Sequence, residues 1–144
     1  MSTSARPPAV VRDRRGRGMR GPLAQDGSPL AMTRAQRFDE IVIGTVEALE
    51  RRWREQLATV EFAVEDVPSL DDWHHDWVPL ARSFPAEGAL PPRIVVFRRP
   101  IETRVRGLLA LRVLVAEVVV EQIAELLDTE PEEVDPRYGR RGRR

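Results

Sequence analysis

The sequence contains no cysteine and no lysine, and only 6% of its residues are aromatic. Without cysteine the chain can form neither disulfides nor thiolate metal sites. It also lacks a Gly-rich phosphate loop and a serine in a strand-to-helix elbow, which excludes the common nucleotide-binding and serine-hydrolase signatures. Histidine occurs only as the adjacent pair His74 and His75, so imidazole chemistry has one place in the chain.

Charge is distributed unevenly along the chain, although 23 arginines balance 23 acidic residues overall. Residues 1–35 hold seven arginines and two acids, and residues 137–144 hold five arginines and no acid. The remaining 11 arginines and 21 carboxylates give the body of the chain, residues 36–136, a net charge of −10. The ends have no apolar periodicity, so we predict disordered basic tails at 1–32 and 137–144 around one domain at 33–136. Met19 and Met32 could each be the true start.

Hydrophobic periodicity predicts an α+β domain. An amphipathic helix should follow an N-cap at Thr33, and "VEFAVEDVP" should form a half-buried strand. "VPLARSF" is a candidate edge strand, and the unbroken apolar run in "PRIVVFRRP" is typical of a central strand covered on both faces. A second long helix is expected over 107–127, followed by a one-turn helix from Pro131.

The second helix is long enough to cross a bilayer, so a membrane span must be weighed. Arg112, Glu117 and Glu121 lie within it, and each charged side chain near the centre of a membrane helix costs about 2.5–3.5 kcal/mol. We therefore expect a buried helix of a cytoplasmic protein with no membrane contact.

Several segments together are similar to a known family. "RFDEIV", "FAVEDVP" and "RIVVFRRPIE", followed by a long helix, resemble in this order the small bacterial zincin-like metallopeptidase-family proteins, especially actinobacterial members. "RIVVFRRPIE", residues 93–102, is the most specific segment. The resemblance implies a minimal zincin-like fold, in which two main helices pack on a small mixed sheet.

Typical members of that family carry H-E-x-x-H on the second helix, followed by a glycine and an acidic residue. Two imidazoles at i and i+4 share one helical face and can hold Zn²⁺, and the glutamate between them can take a proton from a zinc-bound water. Counted from "RRPIE", the resemblance places the first histidine on Glu121, the glutamate on Gln122 and the second histidine on Glu125. The glycine position is Asp128, and the acidic position is Pro131.

These substitutions change the chemistry that the helix can support. Gln122 carries an amide, which is not basic near neutral pH and cannot act as a general base. Glu121 and Glu125 alone suit Ca²⁺, Mg²⁺ or Mn²⁺ better than the Zn²⁺ of typical members. We therefore expect no catalytic residue and no cofactor, and the leading hypothesis is an inactive family member whose cleft binds a peptide or protein partner.

Two other functions stay open from the sequence. An active metal-dependent peptidase could use a non-standard ligand set of Glu121, Glu125 and one of His74 or His75. The basic tails could make the chain a nucleic-acid-associated adaptor, although no nucleic-acid-binding module is present. The segment "WHHDW" is interpreted as a loop, and its Trp73 and Trp77 are candidate partner-binding residues because tryptophan is enriched at interface hot spots.

An acidic stripe on the second helix has several interpretations. Glu117, Glu121 and Glu125, with Asp128 close by, recur at helical spacing. The stripe could be a solvated face, or an acidic cleft for an arginine-bearing partner or a hard cation. It could also be a structural salt-bridge cluster, in which case the neutralising candidates are Arg98, Arg99, Arg104 and Arg106.

Overall fold

The computed structural model describes residues 9–12, 32–69 and 77–140 of the chain. His74, His75 and Trp73 therefore lie outside the described residues. The elements in chain order are β1 (Ala9–Arg12), α1 (Arg34–Leu57), β2 (Glu61–Glu65), β3 (Ala81–Phe84), β4 (Arg93–Phe97), α2 (Arg98–Glu102), α3 (Leu108–Leu127) and α4 (Pro131–Val134). This element content confirms the predicted α+β class.

Helix α1 starts where the sequence predicts. The Thr33 hydroxyl accepts a hydrogen bond from the Gln36 backbone N–H at 3.0 Å, and the Gln36 side-chain oxygen accepts one from the Thr33 N–H at 2.9 Å. This capping box satisfies two N–H groups that a helix start otherwise leaves unpaired. Near its other end the helix is kinked at Trp53, whose indole N–H donates to the Val134 carbonyl at 3.0 Å.

The four strands form one mixed sheet in the order β1-β2-β4-β3. Strands β2 and β4 are parallel, with Phe62 opposite Ile94, whereas β1 is antiparallel to β2 and β3 is antiparallel to β4. Strand β4 therefore lies inside the sheet, as its apolar run predicts, and β3 ends the described sheet on one side. The tentative edge strand in "VPLARSF" is confirmed at its last four residues.

The core lies between the sheet and the two long helices. Alternation along the strands sends Phe62 and Val64 of β2, and Ile94 and Val96 of β4, into this core. The helices contribute buried residues that recur at three- and four-residue steps: Phe38, Val42, Val46 and Leu49 from α1, and Val115, Val119 and Ile123 from α3. The opposite sheet face holds a smaller buried cluster of Ala63, Val95 and Phe97, so β4 is covered on both faces.

Helix α3 has a glycine before its first residue and a left-handed residue after its last. Gly107 has φ 91°, a backbone conformation that residues other than glycine rarely adopt. At the other end, the Thr129 N–H donates to the Ala124 carbonyl at 2.9 Å and the Asp128 N–H to the Glu125 carbonyl at 3.3 Å. These two bonds form a Schellman motif, with Asp128 at φ 58° and ψ 50°. No helix among the described residues is long and apolar enough to span a membrane.

Three parts of the structure differ from the sequence predictions. Residues 98–100, expected to end the strand in "PRIVVFRRP", instead begin the short helix α2. Four residues of the predicted N-terminal tail form β1, because their backbone pairs with the open side of β2. At the other end, residues 137–140 form turns, and Tyr138 packs against the main core. The folded domain thus continues past residue 136, because the Tyr138 ring packs on the apolar core.

Candidate functional site

The exposed side of α3 faces strand β3 across an open groove of about 700 Å³. Glu121, Gln122 and Glu125 line it from α3, together with Val118, because steps of three and four residues bring side chains to one helical face. Residues 80–83 line it from the strand side, and Trp77 and Arg104 complete its walls. We call this space the α3–β3 groove. It contains all three helix positions that the sequence identifies as the candidate site.

Strand β3 lies at the edge of the described sheet, beside the groove. The Phe97 N–H donates to the Leu80 carbonyl at 2.9 Å. This bond shows which alternate residues of the segment direct their backbone groups toward β4. Alternate residues of such a strand bond to the neighbour, so Arg82 and Phe84 bond toward β4 while Ala81 and Ser83 direct their N–H and C=O groups outward. Ala81 and Ser83 pair with Val96 and Ile94 of the core face, so their side chains lie on the α3 side of the sheet.

Glu121 is held by a residue that sequence analysis assigned to a tail. The Tyr138 hydroxyl donates a hydrogen bond to the Glu121 carboxylate. This hydrogen bond, with burial and the nearby charges of Glu121, Glu117 and Glu132, raises the pKa of Tyr138 above its ordinary value of 10.0. The tyrosine therefore stays a neutral donor, and it joins the C-terminal turn to α3.

Gln122 and Glu125 have no such support among the described residues. The Gln122 side-chain oxygen is buried and accepts no hydrogen bond. Leaving a buried acceptor unpaired costs about 1–3 kcal/mol. Glu125 is exposed and takes part in no side-chain hydrogen bond or ion pair with the described part of the chain. The groove wall thus carries the Gln122 oxygen and the Glu125 carboxylate without a hydrogen-bond donor from the described residues.

The predicted arginine cluster does not form around these carboxylates. Arg98 instead bonds Asp66 at 3.0 Å and Glu102 at 3.0 Å. The reason is helix α2, which places Arg98 and Glu102 one turn apart so that their side chains pair. Arg99, Arg104 and Arg106 form no ion pair with Glu117, Glu121 or Glu125 within the described ranges. The salt-bridge interpretation of the stripe is therefore wrong for these residues.

The side chains of the described residues do not fit the zinc of typical zincins. Structural and catalytic zinc sites use at least three protein ligands, chiefly imidazole and thiolate. In the described ranges no three His, Cys, Asp or Glu side chains come together in a way that could hold a metal ion. Position 131, where the resemblance expects an acidic ligand, is a proline that starts α4. The combination of Glu121 and Glu125 with His74 or His75 stays a prediction, since both histidines lie outside the described residues.

The two candidate partner-binding tryptophans have different outcomes. Trp77 lies in the wall of the α3–β3 groove and is 53% exposed, so the structure brings it to the same site as Glu121, Gln122 and Glu125. Trp73 lies outside the described residues. Tyr138 is the site residue that sequence reasoning missed. The one signal for it was its position as the only tyrosine of the chain, next to a glycine that can turn the backbone.

Comparison with known proteins agrees with this architecture. The family model described as zincin-like metallopeptidase matches residues 54–140, more than half of the chain. The match begins in the last turn of α1 and covers the whole of the α3–β3 groove, and it ends just after Tyr138. No curated protein matches the sequence. On the strength of the family match, the chain belongs to the zincin-like metallopeptidase family.

Proposed function

We propose that this chain is a non-catalytic zincin-like protein that binds a peptide segment in the α3–β3 groove. The observation that carries the proposal is the wall of the groove itself. An amide, Gln122, occupies the place where the family resemblance puts the general base, and β3, the edge strand of the described sheet, lies across from it. Peptide recognition is thereby favoured over peptide hydrolysis.

The assignment of Gln122 to the base position draws support from the end of α3. Typical members have a glycine three residues after the second histidine, which corresponds to Asp128 here. Asp128 is the one non-glycine residue with positive φ among the described residues. A helix that ends in this left-handed conformation usually has glycine at that position, so the counting from "RRPIE" matches the backbone.

Loss of the base has a direct chemical consequence. A glutamate at position 122 could accept a proton from attacking water, whereas the Gln122 amide cannot. Glu121, in the place of the first imidazole, is bound to the Tyr138 hydroxyl. The groove can therefore orient a peptide, but the residue at the base position of the family, Gln122, cannot activate water against it.

The open strand edge supplies the mode of binding. A peptide in extended conformation can add as a further strand to β3, with its backbone paired to Ala81 and Ser83. Main-chain hydrogen bonds would provide affinity, and alternate side chains of the peptide would point into the groove toward α3. A volume of about 700 Å³ accommodates several such side chains.

Metal analysis combined with a peptidase assay tests the non-catalytic half of the proposal. Full-length protein purified without chelators should contain no stoichiometric zinc, and zinc addition should not lead to cleavage of a mixed peptide library. Stoichiometric zinc that is lost in Glu121→Ala, or cleavage that depends on added metal, would contradict the proposal. That outcome would favour the ligand set containing His74 or His75, which His74→Ala and His75→Ala would then distinguish.

The nucleic-acid hypothesis stays a prediction with its own test. Binding through basic tails should weaken steeply with salt and disappear when the tails are deleted. The deletion should start at residue 141 rather than 137, because removing Tyr138 would also remove its bond to Glu121. Persistent binding in a variant that lacks 141–144 and has Arg6, Arg14, Arg15, Arg17 and Arg20 replaced by serine would point away from the tails.

A further inference from the structure

We infer that the peptide recognised by the α3–β3 groove carries an arginine, whose guanidinium is held by Glu121 and Glu125 against Trp77. This inference rests on the proposed function and names the chemistry of the ligand. It follows from three features that lie together in the groove: oxygen acceptors without a described donor, the lack of an ion pair between these glutamates and any arginine of the described ranges, and an exposed indole.

The acceptors stand one helical turn apart on the groove wall. Glu125 is exposed and unpaired within the described residues. One Glu121 oxygen accepts from Tyr138, and its other oxygen is still available, since a carboxylate has about four acceptor sites. Between them, the Gln122 oxygen is buried without a donor. A ligand group that satisfies this wall must donate several hydrogen bonds and carry positive charge.

In the described part of the chain, no arginine forms an ion pair with Glu121 or Glu125. Arg98 is bound to Asp66 and Glu102. Arg82 contributes to the groove wall, but its guanidinium carbon lies 4.7 Å from the centre of the Phe84 ring. Arg82 and Phe84 are two residues apart in β3, so both side chains lie on the sheet face opposite α3. Arg104 also lines the groove and forms no ion pair with either glutamate in the described structure.

Arginine fits the wall better than lysine or a hard cation. A guanidinium offers five N–H donors in a planar fork that can bridge two carboxylates, and its flat face stacks on an indole such as Trp77. The lysine ammonium is a compact, strongly hydrated charge with neither property. Ca²⁺ takes six to eight oxygen ligands, whereas this wall brings two carboxylates and one amide from a single helix.

An NMR titration of the full chain tests the inference. The probe is a capped, extended peptide of alternating threonine and valine with one central guest residue. The guest is arginine, lysine or citrulline, which keeps the shape of arginine and loses its charge. We expect the arginine peptide to bind at least about ten-fold more tightly than the citrulline peptide, because charge-assisted hydrogen bonds are about twice as strong as neutral ones. The backbone amides of Ala81, Ser83 and Gln122 should report the binding.

Matched variants separate local recognition from general charge attraction. Glu125→Gln keeps the size of the side chain and should abolish the preference for arginine over citrulline. Glu47→Gln removes the same charge from the exposed face of α1, outside the groove, and should leave the preference intact. Equal loss in both variants would mean that arginine is attracted only by the net charge of the body, and would overturn the inference.

The outcomes also separate this inference from the proposed function. Equal affinity for the arginine and citrulline peptides, with shifts at Ala81 and Ser83, would overturn the arginine specificity and leave peptide binding standing. Absence of shifts at these amides with every guest would contradict peptide binding in the groove, and the arginine specificity with it.

Discussion

Tyr138 and Glu121 are joined by a hydrogen bond between residues that lie 17 positions apart in the chain. The bond ties the turn after α4 to the exposed face of α3, next to the α3–β3 groove. In typical zincins the helix residue at this place would bind metal, as the resemblance implies. Here its carboxylate accepts a hydrogen bond from a side chain of the same chain, which links the C-terminal turn to α3.

Removal of the Tyr138 hydroxyl should destabilise the fold modestly. For Tyr138→Phe we expect the free energy of unfolding to fall by about 1 kcal/mol, because the bond is solvent-exposed and its ring packing is kept. Urea denaturation measures the change. A double-mutant cycle with Glu121→Gln should show that the two substitutions are less than additive. Strict additivity would mean that the hydroxyl and the carboxylate do not interact in solution.

Alkaline pH should weaken the fold through the same pair. The pKa of Tyr138 is raised in the folded state, chiefly by its hydrogen bond to Glu121. Above the ordinary pKa of 10.0 the unfolded chain therefore loses a proton that the folded chain keeps. The contribution of this hydrogen bond to the free energy of unfolding is fully present below that pH. It decreases as pH rises toward the folded-state pKa of Tyr138, by up to about 1.4 kcal/mol per pH unit.

The composition leaves few other side chains that titrate in the alkaline range of this test. The chain has one tyrosine and neither lysine nor cysteine, and arginine does not titrate in this range. Tyr138→Phe should thus abolish the alkaline decline in unfolding free energy, and phenolate absorption of the wild type should appear only at higher pH than in the urea-unfolded chain. An alkaline decline that is unchanged in Tyr138→Phe would refute the assignment.

The end of α3 should be improved by glycine. Asp128 has a left-handed backbone and places a negative charge at the negative end of the helix dipole. We expect Asp128→Gly to raise the free energy of unfolding by about 1 kcal/mol. Asp128→Asn removes the charge alone and should give a smaller gain of about 0.3–1 kcal/mol. Asp128→Ala is the opposing control, because alanine tolerates the left-handed conformation poorly.

Two glycines should respond in opposite directions to the same substitution. Gly44 lies inside α1, and a Cβ added there meets no atom within 4 Å. Gly44→Ala should raise the free energy of unfolding by about 1 kcal/mol, the usual difference between these residues in a helix. Gly107→Ala should lower it, since φ is 91° at that position. Thermal unfolding of the two variants side by side checks both signs.

Local signals in the sequence predicted most of the fold. The Thr33 cap, the strand in "VEFAVEDVP" and the strand in "RIVVF" each depend on residues close in the chain, and each appears in the structure at the expected place. The half-buried pattern predicted for the first of these strands is wrong, because Ala63, expected on its exposed face, is buried in a cluster with Val95 and Phe97. The helix α2 escaped prediction because Pro100 was interpreted as the end of a strand, although proline is well tolerated in the first turn of a helix. Strand β1 escaped because its short apolar run lies among arginines.

The candidate site was predicted in its positions but not in its contacts. Counting from "RRPIE" located Glu121, Gln122 and Glu125, and the structure places all three in one groove. Their partners depend on how distant segments return to α3, which periodicity does not encode. The sequence thus offered Arg98 as a partner of the stripe, whereas the chain brings Tyr138 to Glu121 and directs Arg98 to Asp66.

The most direct test of non-catalytic peptide binding is one incubation of the full chain with the arginine-guest peptide and added zinc. NMR follows the amides of Ala81 and Ser83 while mass spectrometry follows the peptide. We predict that these amides shift and that the peptide stays intact. Cleavage of the peptide that disappears in Glu121→Ala would contradict the central claim.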